Sequence, residues 1–186
     1  MAHVAGVKLS AAGLKMEPYL PIAEEQLAHP NRSQPLRVFL ATLTGWLLVS
    51  GALHLAWELL HVRLYTLWFE ASAWRIVYSV LHCTAGDVLI SAAAFLAAAT
   101  ATRDGDWPRH AWRIGLPIVL VVGVGYTAVS EWINVYHLKR WAYAPQMPLI
   151  GGIGVTPLLQ WIVVPIAALW ISRRRSVLRR GVGHTT

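Results

Sequence analysis

His54 and Glu58 stand four residues apart in an otherwise apolar stretch that ends on His61. That spacing puts both side chains on one helix face, within hydrogen-bonding reach, and His61 continues the face one turn on. His82 and Asp87 lie five apart in a second apolar stretch, about 140° round a helix, so both can line a cavity without touching. Glu131, with Asn134 close behind, lies in a third stretch and Gln160 in a fourth. Imidazoles and carboxylates buried together take shifted pKa values and can pass protons to a bound molecule. The candidate catalytic residues are therefore His54, Glu58, His82, Asp87 and Glu131. Trp57, Trp132 and Trp161 adjoin Glu58, Glu131 and Gln160 in sequence, and aromatic faces stabilise cations. With Asn134 and Gln160 they are the candidate substrate-binding residues, and the set suits carbocation chemistry on an isoprenoid or sterol-like lipid.

The elements that must position these residues follow from hydropathy. The chain has 186 residues, of which 56% are hydrophobic and only 13% charged, too oily for a soluble globule of that size. Four apolar blocks, at about 38–60, 77–100, 114–135 and 157–172, each approach the roughly 20 residues that cross a bilayer core. None alternates with a period of two, so helices rather than barrel strands are predicted. Thr156-Pro157 reads as an N-cap and first helical position, while Pro165 falls inside the fourth block and predicts a kink. The expectation is an all-α polytopic membrane protein, a four-transmembrane-helix bundle. Residues 1–37 form an N-terminal tail, 38–172 the membrane domain and 173–186 a basic C-terminal tail.

Charge predicts orientation. Both tails and the connection near 101–113 carry twelve basic residues, against four (Arg63, Arg75, Lys139, Arg140) in the other two connections. The positive-inside rule then puts both termini in the cytoplasm. The net charge of +7 reflects this bias, and no basic stripe interleaved with aromatics points to nucleic acid; membrane lipids are the expected partner of the arginine-rich tail. The first 37 residues hold no continuous apolar core of a cleavable signal peptide, and 21–28 suits a helical turn lying on the membrane. The single cysteine, Cys83, permits neither an internal disulfide nor a cysteine-based metal site. The connections at 61–75 and 137–155 are rich in aromatics, as an interfacial belt or a lid over a cavity would be. Gly123, Gly125 and the alanine-rich stretch 92–99 permit close helix packing, within the chain or in an oligomer.

Every predicted helix thus contributes a polar group at mid-membrane or on the outer side, and the cytoplasmic halves contribute almost none. Three readings compete for the outer pocket this predicts. One is a polar network that fixes helix registry in a non-catalytic subunit or structural protein. A second is an intramembrane metal site of His and carboxylate, although no Glu-x-x-His or His-x-x-x-His pair is present. The third is acid–base chemistry on an apolar lipid with no cofactor.

The segment His54-Leu55-Ala56-Trp57-Glu58 resembles the His-Leu-x-x-Glu pattern of the emopamil-binding proteins, the sterol isomerases, and their wider four-helix EXPERA domain. Asp87 and Glu131 fall where that domain carries acidic residues in its second and third helices. Trp161 and Pro165 match its Trp followed four residues later by Pro. Leu158 departs from the pattern, occupying the place of a polar Asn, with Gln160 the nearest polar group. The resemblance covers about residues 38–172 and implies a double-bond isomerase. In it His54 and Glu58 deliver and relay a proton, Asp87 and Glu131 accept a proton or balance charge, and Trp161 faces the cation.

Overall fold

The computed structural model describes residues 33–182, with side chains from 35 to 174. The expectations for residues 1–32, including the turn at 21–28, lie outside the described residues. Helix α1 (Ser33–His61) leads through a 3-10 turn (Val62–Leu64) and the short α2 (Leu67–Glu70) into α3 (Ala73–Thr102). The second connection holds α4 (Trp107–His110). Helix α5 (Trp112–Trp132) follows and runs on into a π-helical turn (Ile133–His137). A two-stranded antiparallel hairpin, β1 (Leu149–Ile150) with β2 (Ile153–Gly154), precedes α6 (Val155–Val182). Among the described residues the fold is all-α apart from that hairpin. Its turn is made by Gly151 and Gly152, both at positive φ, a conformation that glycine adopts without steric cost.

Among the described residues, four helices are long and apolar enough to cross a membrane. In the first three, only 22% of the most apolar stretch is buried inside the protein, and in the fourth 39%. Leu60, Leu89 and Val121 are each more than 70% exposed, an outer surface suited to hydrocarbon rather than water. The helices form a four-membered ring: α1 packs on α3 and α6, and α5 packs on the same two. Helix α1 begins five residues before the apolar block, because Pro35 is tolerated in a first turn. Helix α6 continues past Ser172, the predicted end, into the basic segment, where arginine is a good helix former.

The end of the bundle bearing α4 is a dry aromatic core. Trp46, Phe95 and Trp107 are at most 1% exposed, with ring centroids 5.3–5.9 Å apart. The polar groups at this end lie in the connection or near the middle of the helices. Buried Asp106 accepts hydrogen bonds from Thr42 Oγ1 (3.1 Å) and Arg109 Nη1 (2.6 Å), and buried Ser91 donates to Ser50 (3.2 Å). Asp106 lies in a connection that folds back under α1, which helical periodicity does not reveal.

Two tryptophans seat in notches on α5. Trp107 lies against Gly115 and Trp161 against Gly123, where an added Cβ would collide with the indole ring. Gly125, expected to share this packing role, faces open space. Overpacking a filled core costs about 1–3 kcal/mol. Gly123→Ala is therefore expected to lower the thermal stability of the purified protein by that order, with Gly125→Ala leaving it unchanged. Equal melting of the two variants would show that Trp161 does not rest on Gly123.

Candidate functional site: a carboxylate-lined cavity

A cavity of about 360 Å³ lies at the opposite end, walled by all four long helices and by both connections there. Glu58, Asp87 and Glu131 line it from α1, α3 and α5, and Gln160 and Trp161 line it from α6. The helical spacing accounts for this convergence: Glu58, Asp87, Glu131 and Gln160 each turn inward from their helices, because an ionisable group facing hydrocarbon is costly.

Gln160 is the junction. Its amide Nε2 is 2.8 Å from Asp87 Oδ2, 2.8 Å from His54 Nδ1 and 3.3 Å from Glu58 Oε1. A primary amide has two N–H bonds, so it cannot serve three acceptors at once. A shared three-centre N–H, a turned amide or a proton held within the cluster accommodates the third contact. His54 Nδ1 also lies 3.5 Å from Asp87 Oδ2, and His61 Nε2 lies 3.7 Å from Glu58 Oε2. His54 and Glu58 thus share a face, as their spacing predicts, with Gln160 between them.

His54 does not touch the cavity. It is fully buried behind Gln160, its ring 4.9 Å from that of Trp161, and its Nε2 has no hydrogen-bond partner. His82 does line the cavity but is exposed and stacks on Tyr78 at 5.7 Å. Asn134 lines it from the π turn, donating to the Ser130 carbonyl (2.8 Å).

Two of the sequence-predicted substrate contacts lie elsewhere. Trp57 is outside the cavity lining, and Trp132 is 49% exposed with its ring against His137. Adjacent residues of a helix point about 100° apart, so a tryptophan next to an inward carboxylate faces another way. Only Trp161, following Gln160 on α6, joins its neighbour at the cavity.

Glu131 is held by groups the sequence reading did not single out as site residues. Tyr143 Oη donates to its Oε2 at 2.6 Å and Tyr65 Oη reaches the same oxygen at 3.3 Å. The two tyrosines form an isolated antiparallel bridge between the connections, rings 5.6 Å apart. Thr66 N donates to the Ala142 carbonyl (3.0 Å), and Ala144 N to that of Leu64 (2.9 Å). The segment after the π turn therefore lies across the first connection, with Trp141 and Arg140 facing the cavity, as a lid would. Cys83 also lines it. Among the described residues, no group of three His, Cys, Asp or Glu side chains is placed to hold a metal ion.

Neither a protein-family model, nor a curated protein, nor a solved structure matches this chain.

Burial holds the Tyr65 phenol well above its ordinary range, and the charge of Glu131 adds to the effect. Burial also raises Tyr143, seconded by its hydrogen bond to Glu131. Below the ordinary phenol value of about 10 these groups are neutral whether the chain is folded or not, and their stabilising contacts are intact. Above it the unfolded chain ionises while the folded one resists, so stability falls as pH rises. In an alkaline titration followed by tyrosinate absorbance, Tyr65 and Tyr143 are expected to ionise last, and Tyr143→Phe to remove one late transition. Simultaneous ionisation of all tyrosines would contradict this site.

Proposed function

We propose that this chain is a multi-pass membrane protein, with both termini cytoplasmic, whose cavity takes up an apolar lipid and moves protons on it, as a double-bond isomerase does. The observation that carries the reading is the meeting of Glu58, Asp87 and Glu131 at one cavity, within a bundle whose outer surface is apolar. A neutral carboxyl at Glu58 or Asp87 protonates one carbon of a C=C bond. The resulting cation loses a proton from the adjacent carbon to a carboxylate, so the double bond moves and no atoms are gained or lost. Trp161 offers an aromatic face to the cation. His54 acts through Gln160 and Asp87, positioning them and holding a proton in reserve. The resemblance to the emopamil-binding proteins implies a like division of labour, with Glu58 on the proton-delivering side, Asp87 and Glu131 accepting a proton or balancing charge, and Trp161 facing the cation, although it gives His54 a direct part in delivery.

The full chain, reconstituted in liposomes with a total-lipid extract containing both neutral and phosphate-bearing lipids in deuterated water, tests this directly. Deuterium is expected to enter lipid C–H positions, and Glu58→Gln or Asp87→Asn to reduce incorporation by about 10²-fold or more with the protein still folded. His54→Ala is expected to abolish turnover as well. No incorporation into any lipid, or full activity in these variants, overturns the catalytic reading. Fluorescent-protein fusions at either terminus are expected to fluoresce in the cytoplasm, since the twelve basic residues of the tails and second connection favour that side.

One observation favours a second reading, a structural or interaction protein: the Gln160 contacts tie α1, α3 and α6 together, as a registry device would. In that case Gln160→Leu would destabilise the bundle, and no lipid would exchange protons with solvent.

A further inference from the structure

The cavity walls divide by charge in a way that proton transfer alone does not require. Arg75 and Arg140 line the same cavity as the three carboxylates. Arg75 is in the first turn of α3, and Arg140 lies just beyond the π turn. Opposite charges that can reach each other inside a protein pair, and these do not. The ion pairs among the described residues join His54 to Asp87, His61 to Glu58, Arg109 to Asp106 and His110 to Asp104. Neither Arg75 nor Arg140 takes part in one, and both are exposed. Arg75 and Asp87 are twelve residues apart on α3, about 18 Å of helix. Along α3, then, the guanidinium of Arg75 and the carboxylate of Asp87 sit at different levels of the cavity.

Backbone geometry fixes one of the two arginines. Lys139 sits at φ 50°, a left-handed conformation that a non-glycine residue adopts at a cost and that gathers at functional sites. It turns the chain so that Arg140 N donates to the Asn134 carbonyl at 2.9 Å. Tyr78 and Ser79 follow Arg75 by three and four residues, on the same helix face, and also line the cavity. The rim therefore offers two guanidinium forks and two hydroxyls. Below it the cavity follows α3 as far as Ile90, fifteen residues from Arg75 and about 22 Å along the helix. Its volume, about 360 Å³, is small for a lipid with two acyl chains.

We infer that the lipid taken up by this cavity is a single-chain amphiphile whose phosphate head is held by Arg75 and Arg140 while its chain runs down toward Glu58 and Asp87. Guanidinium forks match phosphate oxygens in pairs, and two such cations balance a phosphate's charge. A neutral lipid would leave both unanswered, and a carboxylate would occupy only one fork. This inference rests on the lipid reading above.

The test uses the full chain in phosphatidylcholine nanodiscs, with dodecyl phosphate, dodecanol and inorganic phosphate as probes. Intrinsic fluorescence reports binding, since Trp141 and Trp161 line the cavity. Dodecyl phosphate is expected to bind about tenfold or more tighter than dodecanol, with inorganic phosphate far weaker than either. The double variant Arg75→Gln/Arg140→Gln is expected to bring dodecyl phosphate down to the affinity of dodecanol and leave dodecanol unchanged. The corresponding Lys pair is expected to keep part of the preference. If dodecanol binds and the phosphate confers no advantage, this inference falls and the lipid reading stands. If neither chain binds, both fall. Inorganic phosphate binding as tightly as dodecyl phosphate would make the rim a site for a free anion and overturn the lipid assignment.

Discussion

Three carboxylates inside an apolar bundle are the constraint on which the rest of this structure depends. An ionised carboxylate removed from water costs several kcal/mol unless hydrogen bonds or counter-charges replace the lost hydration. Here the replacements are few. Glu131 has two tyrosine hydroxyls, Glu58 has His61 and the Gln160 amide, and Asp87 has His54 and the same amide. The Gln160 amide therefore brings groups from α1, α3 and α6 together at one level. Its own aim is fixed by the next residue, since Trp161 is wedged against Gly123 and cannot rotate without taking α6 with it. Packing and polar satisfaction are thus the same event on two consecutive residues.

The other end of the bundle supplies the rigidity that this arrangement needs. Trp46, Phe95 and Trp107 are themselves at most 1% exposed there, and Trp107 repeats on Gly115 the contact that Trp161 makes on Gly123. Asp106, paired with Arg109 and bound to Thr42, ties the second connection to α1. Close packing of this kind transmits strain rather than absorbing it. The carboxylates can then be held near one another at the cavity without the helices splaying to relieve their repulsion. A bundle packed loosely at both ends would separate Glu58 from Asp87 before it accepted a ligand.

What could be read from the sequence follows from how local each signal is. Glu58, Asp87, Glu131 and Gln160 are conspicuous as polar residues in apolar blocks, and inward-facing polarity is nearly forced in such helices, so their meeting at one cavity was legible. The neighbouring tryptophans were not a sound guide, because adjacency in sequence is divergence on a helix; Trp57 and Trp132 face away. Tyr65 and Tyr143 could be seen only as belt or lid aromatics. Their shared grip on Glu131 joins residues 66 and 12 positions away, through irregular connections with no periodicity to interpret. Arg75 and Arg140 entered the sequence reading only as charges to be counted for orientation, and their place on the cavity wall depends on where α3 starts and on the left-handed Lys139.

The way into the cavity can be argued from which of its walls are also surface. The lid is fastened by two backbone hydrogen bonds to the first connection and by Tyr143 to Glu131, so lifting it would expose three donors and acceptors together. Tyr78 on α3 and Tyr126 on α5 line the cavity and are also 59% and 56% exposed; His82, stacked on Tyr78, is likewise both. Helices α3 and α5 are neighbours in the ring, so these exposed cavity residues border one side of the bundle. In the proposed membrane setting that side faces lipid rather than water. A chain entering there slides in from the bilayer without leaving hydrocarbon, and only its head must find polar partners. The exposed arginines at the rim and the buried acids beneath suit a molecule that arrives sideways and keeps its polar end at the interface.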